Sequence, residues 1–176
     1  MWSFLQNNWE GTVALCALMI TLWQLWVTRK HNRLSVVPNL ITVTQSDTRN
    51  GKYHFICHLT NRGLGPAKIE NFVMYYNKAI LAANNVEEIQ QKLIEKILEH
   101  FEEAEYYVLG YAKGACISAN TSSNIMEFII PQEHLQNPQH LKNFLDHFDI
   151  KIDYTSLYGT KYNFDSRKNR DQFLNK

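Results

Sequence analysis

The sequence predicts an N-terminal transmembrane α-helix followed by a mainly-β, Ig-like sandwich with two inserted α-helices. Three observations predict it. Of 18 Lys and Arg and 17 Asp and Glu in the 176 residues, only Glu10 precedes position 29. Beyond Pro38, apolar side chains recur at period two in short runs bounded by turn residues. Near positions 85–104 and 138–147 the period lengthens to that of a helix. The net charge of +1 and the mean hydropathy of −0.35 average these regions together and hide the division. The part beyond the apolar segment is large enough for one domain with a real core. Its near-neutral balance argues against a dedicated duplex nucleic-acid binder.

The first element is Gly11 to Thr28, GTVALCALMITLWQLWVT, which is free of charge. As a helix it covers ~27 Å, close to the ~30 Å hydrocarbon core of a bilayer. A cleaved signal peptide carries its positive charge ahead of the apolar run. Here Arg29, Lys30 and Arg33 follow it instead. The positive-inside rule therefore predicts residues 1–28 as an extracytoplasmic N-terminus and a single span, and 29–38 as a basic juxtamembrane tether at the lipid headgroups. The expected location is the bacterial inner membrane, with the C-terminal domain cytoplasmic. Trp9 at one boundary and Trp23 and Trp26 at the other suit the interfacial aromatic belts.

Glu10, Ala14, Ala17, Thr21, Gln24 and Thr28 fall on one face of this helix. Small and polar residues let transmembrane helices approach and hydrogen-bond. With one span per chain, the partner must be another chain, so Ala14, Ala17, Thr21 and Gln24 are the candidate self-association face of a homo-oligomer. The competing explanation is that Ala and Thr are ordinary anchor residues and Gln24 lies near the headgroups. A pore lined by this face is a narrower variant, and its lining has only Glu10 to hold ions.

The cytosolic domain is expected to span residues 39–166. Pro38 opposes continuation of the helix. Asn39 to Gln45 and Tyr53 to Leu59 read as strands, the second placing Tyr53, Phe55, Cys57 and Leu59 on one face. Asn50-Gly51 between them is a strong hairpin signal. Further strands are expected at Ile69 to Tyr76, Lys78 to Ala82, Tyr106 to Tyr111, Cys116 to Ala119, Asn124 to Ile130, Asp149 to Leu157 and Lys161 to Phe164. Asn85 with Glu88 resembles a capping box, and Val86, Ile89, Leu93, Ile97 and Phe101 carry an amphipathic helix to about Ala104. Asn137-Pro138 starts the second helix, with Leu141, Phe144, Leu145 and Phe148 on its apolar face. Residues 167–176, RKNRDQFLNK, read as a basic flexible tail.

Catalytic motifs are missing: there is no Walker A loop, GxGxxG, GxSxG, HExxH or CxxC pair. No catalytic or metal-ligating residue and no cofactor is expected, and the chain reads as a non-enzyme. His54 and His58 would flank a metal on a helix, but on a strand they stand ~13 Å apart. His140 and His147 are likewise too far apart to act alone. Cys57 and Cys116 read as small buried thiols of a reducing compartment. Asn61, Gly63, Gly65 and Pro66 form a structural loop between strands, its glycines permitting unusual backbone angles and its proline stiffening the exit. Arg62, Lys68, Lys113 and Lys161 are the candidate contacts for an anionic ligand, with Arg167, Lys168 and Arg170 of the tail as weaker ones. In Asp149 to Leu157, the positions Ile150, Ile152, Tyr154, Ser156 and Tyr158 share a face.

The anchor with RKHNRLSVVPNL, the NRGLGPA loop and DYTSLYGTKY together resemble a widespread group of small, largely uncharacterised bacterial proteins that join one membrane helix to a cytosolic Ig-like sandwich. The shared motifs are NxGxGPA, at Asn61 to Ala67, and YxSxYG, at Tyr154 to Gly159. The helix from Asn85 departs from that pattern, where a shorter strand connection is usual, and the resemblance implies no catalytic residue. The layout is also similar to the membrane effectors of type III CRISPR antiphage systems, which are gated by cyclic oligoadenylate. Two functions follow as expectations. One is a membrane-anchored, non-enzymatic binding or sensing protein whose sandwich takes a protein partner or ligand. The alternative is an antiviral defense effector that binds a cyclic oligonucleotide and perturbs the inner membrane.

Overall fold

The first helix, α1, runs Trp9–Leu34 and buries none of its residues. Glu10 in its first turn and His31 and Arg33 in its last complement the helix dipole. It is long and apolar enough to cross a membrane. The computed structural model describes residues 9–101, 104–132 and 143–168. The chain divides into two compact units, Met1–Val36 and Val37–Lys176.

The second unit is a sandwich of two antiparallel sheets. In one, β1 (Leu40–Arg49), β2 (Lys52–Asn61), β7 (Ser122–Pro131) and β5 (Glu105–Val108) lie in the order β1-β2-β7-β5. In the other, β4 (Ala79–Ala83), β3 (Ala67–Tyr76), β8 (Phe148–Thr155) and β9 (Lys161–Asp165) lie in the order β4-β3-β8-β9, and β6 (Cys116–Ile117) pairs with the start of β3. Asn50 and Gly51, at φ 52° and 71°, form the two-residue turn whose twist matches the β1–β2 hairpin. Both strands run right up to this turn, so β1 is longer than its apolar pattern indicates: residues beyond Val43 are exposed and carry no alternation to read.

Period-two alternation fills the core. Phe55, Cys57 and Leu59 point inward from β2 and share one core with Ile150, Ile152 and Tyr154 of β8 in the other sheet. In β3 the inward set changes parity, from Ala67 and Ile69 to Phe72 and Met74. A register shift between Ile69 and Asn71 against β8 accommodates the extra residue.

The second helix, α2, spans Val86–Leu98. Asn85 caps it, its side-chain oxygen accepting from the Glu88 backbone N–H at 3.2 Å. Ile89, Leu93 and Ile97 are its buried stripe, and it packs against β4 and β5, covering two sheet edges. The helix stops six residues short of the expected Ala104. The amides of His100 and Phe101 both return to the Ile97 carbonyl, tightening the last turn. Phe101 then leaves the helical path to meet the Phe144 ring edge-on at 5.3 Å. Helical spacing placed Phe101 correctly as buried, but by a different route.

The helix expected at 138–147 lies mostly outside the described residues; 143–146 are helical, and Phe144 is buried. Phe148, expected on that helix, opens β8. The strand expected to reach Tyr111 stops at Val108, where the chain passes Gly110 close against Val86 of α2; a Cβ on Gly110 would come within 3.4 Å of Val86 Cα. Cys116 is exposed, contrary to expectation, because the two-residue β6 turns Ile117 inward in its place.

Candidate functional site

Both sheets begin and end together. Leu40, Asn61, Ala67, Ser122, Thr155 and Lys161 mark one end, where the chain arrives from Val37; Arg49, Lys52, Tyr76, Pro131, Phe148 and Asp165 mark the other. These are called here the tether end and the far end. Of the residues singled out for a site in the sandwich, Asn61, Arg62, Gly63, Gly65, Pro66, Lys68, Lys113 and Lys161 belong to the tether end or its neighbouring strands, Arg167 and Lys168 follow β9 at the far end, and Arg170 lies outside the described residues.

Asn61 organises the tether end. Its side chain is fully buried at 0% exposure. Its Oδ1 accepts from the backbone amides of Asn39 at 3.1 Å and Gly63 at 3.0 Å. Its Nδ2 donates to the carbonyls of Gly65 at 2.9 Å, Ile117 at 3.2 Å and Ser118 at 3.2 Å. One amide thus joins the incoming tether, its own loop and the end of β6. Both halves of the amide are used, so a carboxylate or an apolar side chain of the same size leaves buried partners unmatched. Beside it, Arg62 N donates to Asn39 O at 2.8 Å and Leu64 N to Val37 O at 3.0 Å. Gly63 lies against this tether so closely that a Cβ there would stand 2.5 Å from Pro38 Cα and nearer still to Val37 O and Asn39 N. Gly65 is buried and Pro66 half-buried as the chain turns into β3.

The cations sit around this clamp. Arg62 is exposed on the loop itself. Lys68 and Lys161 stand in one row across the outer face, since Lys68 pairs with Thr155 and Thr155 with Lys161; two strand spacings put their Cα atoms about 10 Å apart. Lys113 belongs to the loop whose Gly114 N donates to Ile69 O at 2.7 Å, beside the start of β3. Lys68 reaches Glu70 at 3.9 Å, and Glu70 also accepts from Thr155 Oγ1 at 3.3 Å. One row further along, Asp153 lies between Asn71, which donates to it at 3.0 Å, and Asn163, a close second donor. Burial pushes the Asp153 carboxyl up, but the two amide hydrogen bonds outweigh it and hold the group below its ordinary value. The outer face of this sheet is therefore a polar ladder ending in lysines.

The YxSxYG segment closes the same end. Tyr154 is buried, stacked on Tyr162 at 5.5 Å, and its hydroxyl lies 3.5 Å from the Leu40 amide. Burial raises the Tyr154 phenol above its ordinary value. Ser156 anchors a turn: its amide donates to Thr160 O at 2.9 Å, its Oγ accepts from the Thr160 amide at 3.2 Å, and its carbonyl accepts from Gly159 N at 2.9 Å. Leu157 and Tyr158 occupy the turn's two central positions and face outward. The alternation that put Tyr158 on the buried face breaks because the strand stops at Thr155. Sequence patterning missed this exposed pair and the bridging role of Asn61; Gly159, at φ 75°, was the one turn signal present.

The stripe residues Ala14, Ala17, Thr21 and Gln24 are all exposed on α1. Thr21 Oγ1 donates to Ala17 O at 2.8 Å, satisfying its hydroxyl within the helix. Beyond the C-terminal part of the apolar segment the Lys30 ammonium lies 5.4 Å from the Trp26 ring centre, and Arg29 and Arg33 are exposed nearby in sequence. Arg167, expected in a flexible tail, is instead paired with Asp165 at 2.8 Å and lies over the Tyr75 ring at 4.5 Å. His54 and His58 are half-buried on the outward face of β2. Burial pushes the Cys57 thiol up to about 12. Among the described residues, no group of three or more His, Cys, Asp or Glu could hold a metal ion.

No protein-family model matches the chain, and neither a curated protein nor a solved structure matches it.

Proposed function

We propose that this is a membrane-anchored, non-enzymatic binding protein: α1 crosses the bacterial inner membrane once with its N-terminus outside, and the cytosolic sandwich engages a partner or ligand through its tether end and the adjoining polar ladder. The observation that carries this is the contrast in burial. The sandwich has a closed core of its own, whereas Leu15, Leu18, Met19, Ile20, Leu22, Trp23, Leu25 and Trp26 all remain exposed on one helix. Leaving eight such side chains in water costs on the order of 20 kcal/mol relative to an apolar surrounding. A bilayer supplies that surrounding, and the basic residues Arg29, Lys30 and Arg33 support a cytosolic C-terminal side. The resemblance in layout to bacterial single-pass sandwich proteins points the same way.

Self-association through Ala14, Ala17, Thr21 and Gln24 is part of this proposal. The test is alkaline carbonate extraction of membranes combined with crosslinking. The intact chain should stay in the membrane pellet and crosslink to itself, and replacing Ala17, Thr21 and Gln24 together with Leu should reduce the crosslinked species while leaving the chain in the pellet. Release by carbonate contradicts the anchor. An unchanged crosslinking pattern contradicts the stripe.

A further inference from the structure

We propose that the tether end of the sandwich rests on the anionic inner surface of the membrane that α1 spans, with Leu64, Leu157 and Tyr158 seated among the lipid headgroups and Arg62, Lys113 and Lys161 facing lipid phosphates. The inference rests on the anchor proposed above. Chain length comes first. The six residues from Arg29 to Leu34 continue α1 about 9 Å beyond the apolar segment, roughly the depth of a headgroup layer. Only Ser35 and Val36 then separate the helix from Val37, whose carbonyl is already bonded to Leu64. Leu64 is therefore tied to Val37, three residues past the helix end.

The side chains at this end are those a headgroup layer takes. Leu64 is 67% exposed, Leu157 69% and Tyr158 49%. Leu157 and Tyr158 are held out by the three hydrogen bonds of the Ser156–Thr160 turn, so their exposure is built into the backbone. Tyr is enriched where one end of a side chain is apolar and the other wet. Charge favours the same placement. The connections at the tether end, residues 35–39, 62–66, 112–121 and 156–160, contain Arg62 and Lys113 and no acid, and Lys161 follows directly. At the far end Glu99, Glu105 and Asp165 are instead paired with Lys96, Lys52 and Arg167. An anionic surface therefore attracts the tether end, adding to the attraction already exerted on Arg29, Lys30 and Arg33.

The experiment uses the full chain in phosphatidylcholine nanodiscs with and without phosphatidylglycerol. A photoreactive benzoylphenylalanine replaces Leu157, Ile80 or Leu22 in turn, and lipid adducts are counted by mass spectrometry. Ile80, at 65% exposure near the far end, is the matched control. Leu157 should yield lipid adducts that depend on phosphatidylglycerol, and Ile80 should yield few. Replacing Arg62, Lys113 and Lys161 with Gln should lower the Leu157 yield at least about fivefold, the factor equivalent to ~1 kcal/mol for one cation at an anionic surface. Equal yields from Leu157 and Ile80 overturn the proposal. So does a Leu157 position that fails to label lipid while Leu22 labels it, and in that case the anchor stands. Failure of Leu22 to label overturns the anchor and this inference with it.

Discussion

The two ends of the sandwich are closed by opposite means. At the tether end one buried amide, Asn61, holds three segments by five hydrogen bonds of defined direction, and Gly63 leaves no room for a side chain beside them. At the far end, hydrogen bonds such as those from Arg167 to Asp165 lie outside the apolar core, and the core is closed by Phe144 packing among His100 at 4.8 Å, Phe148 at 5.0 Å and Phe101 at 5.3 Å, with Tyr76 at 6.1 Å, ring contacts that prescribe no bond direction. Directional closure fixes a surface in one geometry, and aromatic packing can readjust. The end that must keep exposed Leu157, Leu64 and the incoming tether in fixed relation is the one locked by hydrogen bonds.

That contrast can be broken by near-isosteric changes, measured by urea unfolding of the full chain in detergent with circular dichroism. The largest effect is expected from Asn61→Asp. It sets a carboxylate against the carbonyls of Gly65, Ile117 and Ser118, and should cost about 4 kcal/mol, since each buried group left unmatched costs roughly 1–3 kcal/mol. Gly63→Ala follows, at about 2–3 kcal/mol, because the obstructing atoms are backbone and cannot rotate away. Phe144→Leu, a change of shape with much of the apolar volume kept, should cost only about 1.5 kcal/mol. A loss at Phe144 as large as that at Asn61 removes the distinction between the ends.

The smallest effect concerns pH at the far end. The Arg167 guanidinium, through its hydrogen bonds, holds the Asp165 carboxyl below its ordinary value against the opposing effect of burial. A carboxyl lowered on folding adds stability above its unfolded value and loses that contribution as pH falls through the folded one. Unfolding midpoints of the natural chain should therefore drop below about pH 4 by more than those of Arg167→Ala, because the variant has no such contribution to lose. Parallel pH curves remove the pair from the far end's stability.

Much of this architecture was legible in local pattern. The alternation from Tyr53 to Leu59, the Asn50-Gly51 turn and the Asn85–Glu88 cap each depend on neighbours within a few residues, and each appears in the fold where it was expected. What escaped depends on distant partners. The importance of Asn61 is set by Ile117 and Ser118, more than fifty positions away, and a lone Asn before Arg-Gly carries no trace of them. The α2 terminus was misplaced because Phe101 obeys helical spacing yet is drawn off by Phe144. Arg62, Lys68, Lys113 and Lys161 were found by charge alone, whereas their common end emerged only from strand register.

The central claim is that the chain is anchored with the sandwich in the cytosol, and its own thiols can test it. Cys116 is exposed on the sandwich, Cys57 is buried with its thiol pushed up to about 12, and Cys16 lies within the apolar helix. A membrane-impermeant maleimide should therefore report Cys116. Inverted inner-membrane vesicles should label, intact spheroplasts should not, and Cys116→Ser should abolish the signal. Labelling of Cys116 in intact spheroplasts would place the sandwich outside and contradict the anchored, cytosol-facing arrangement.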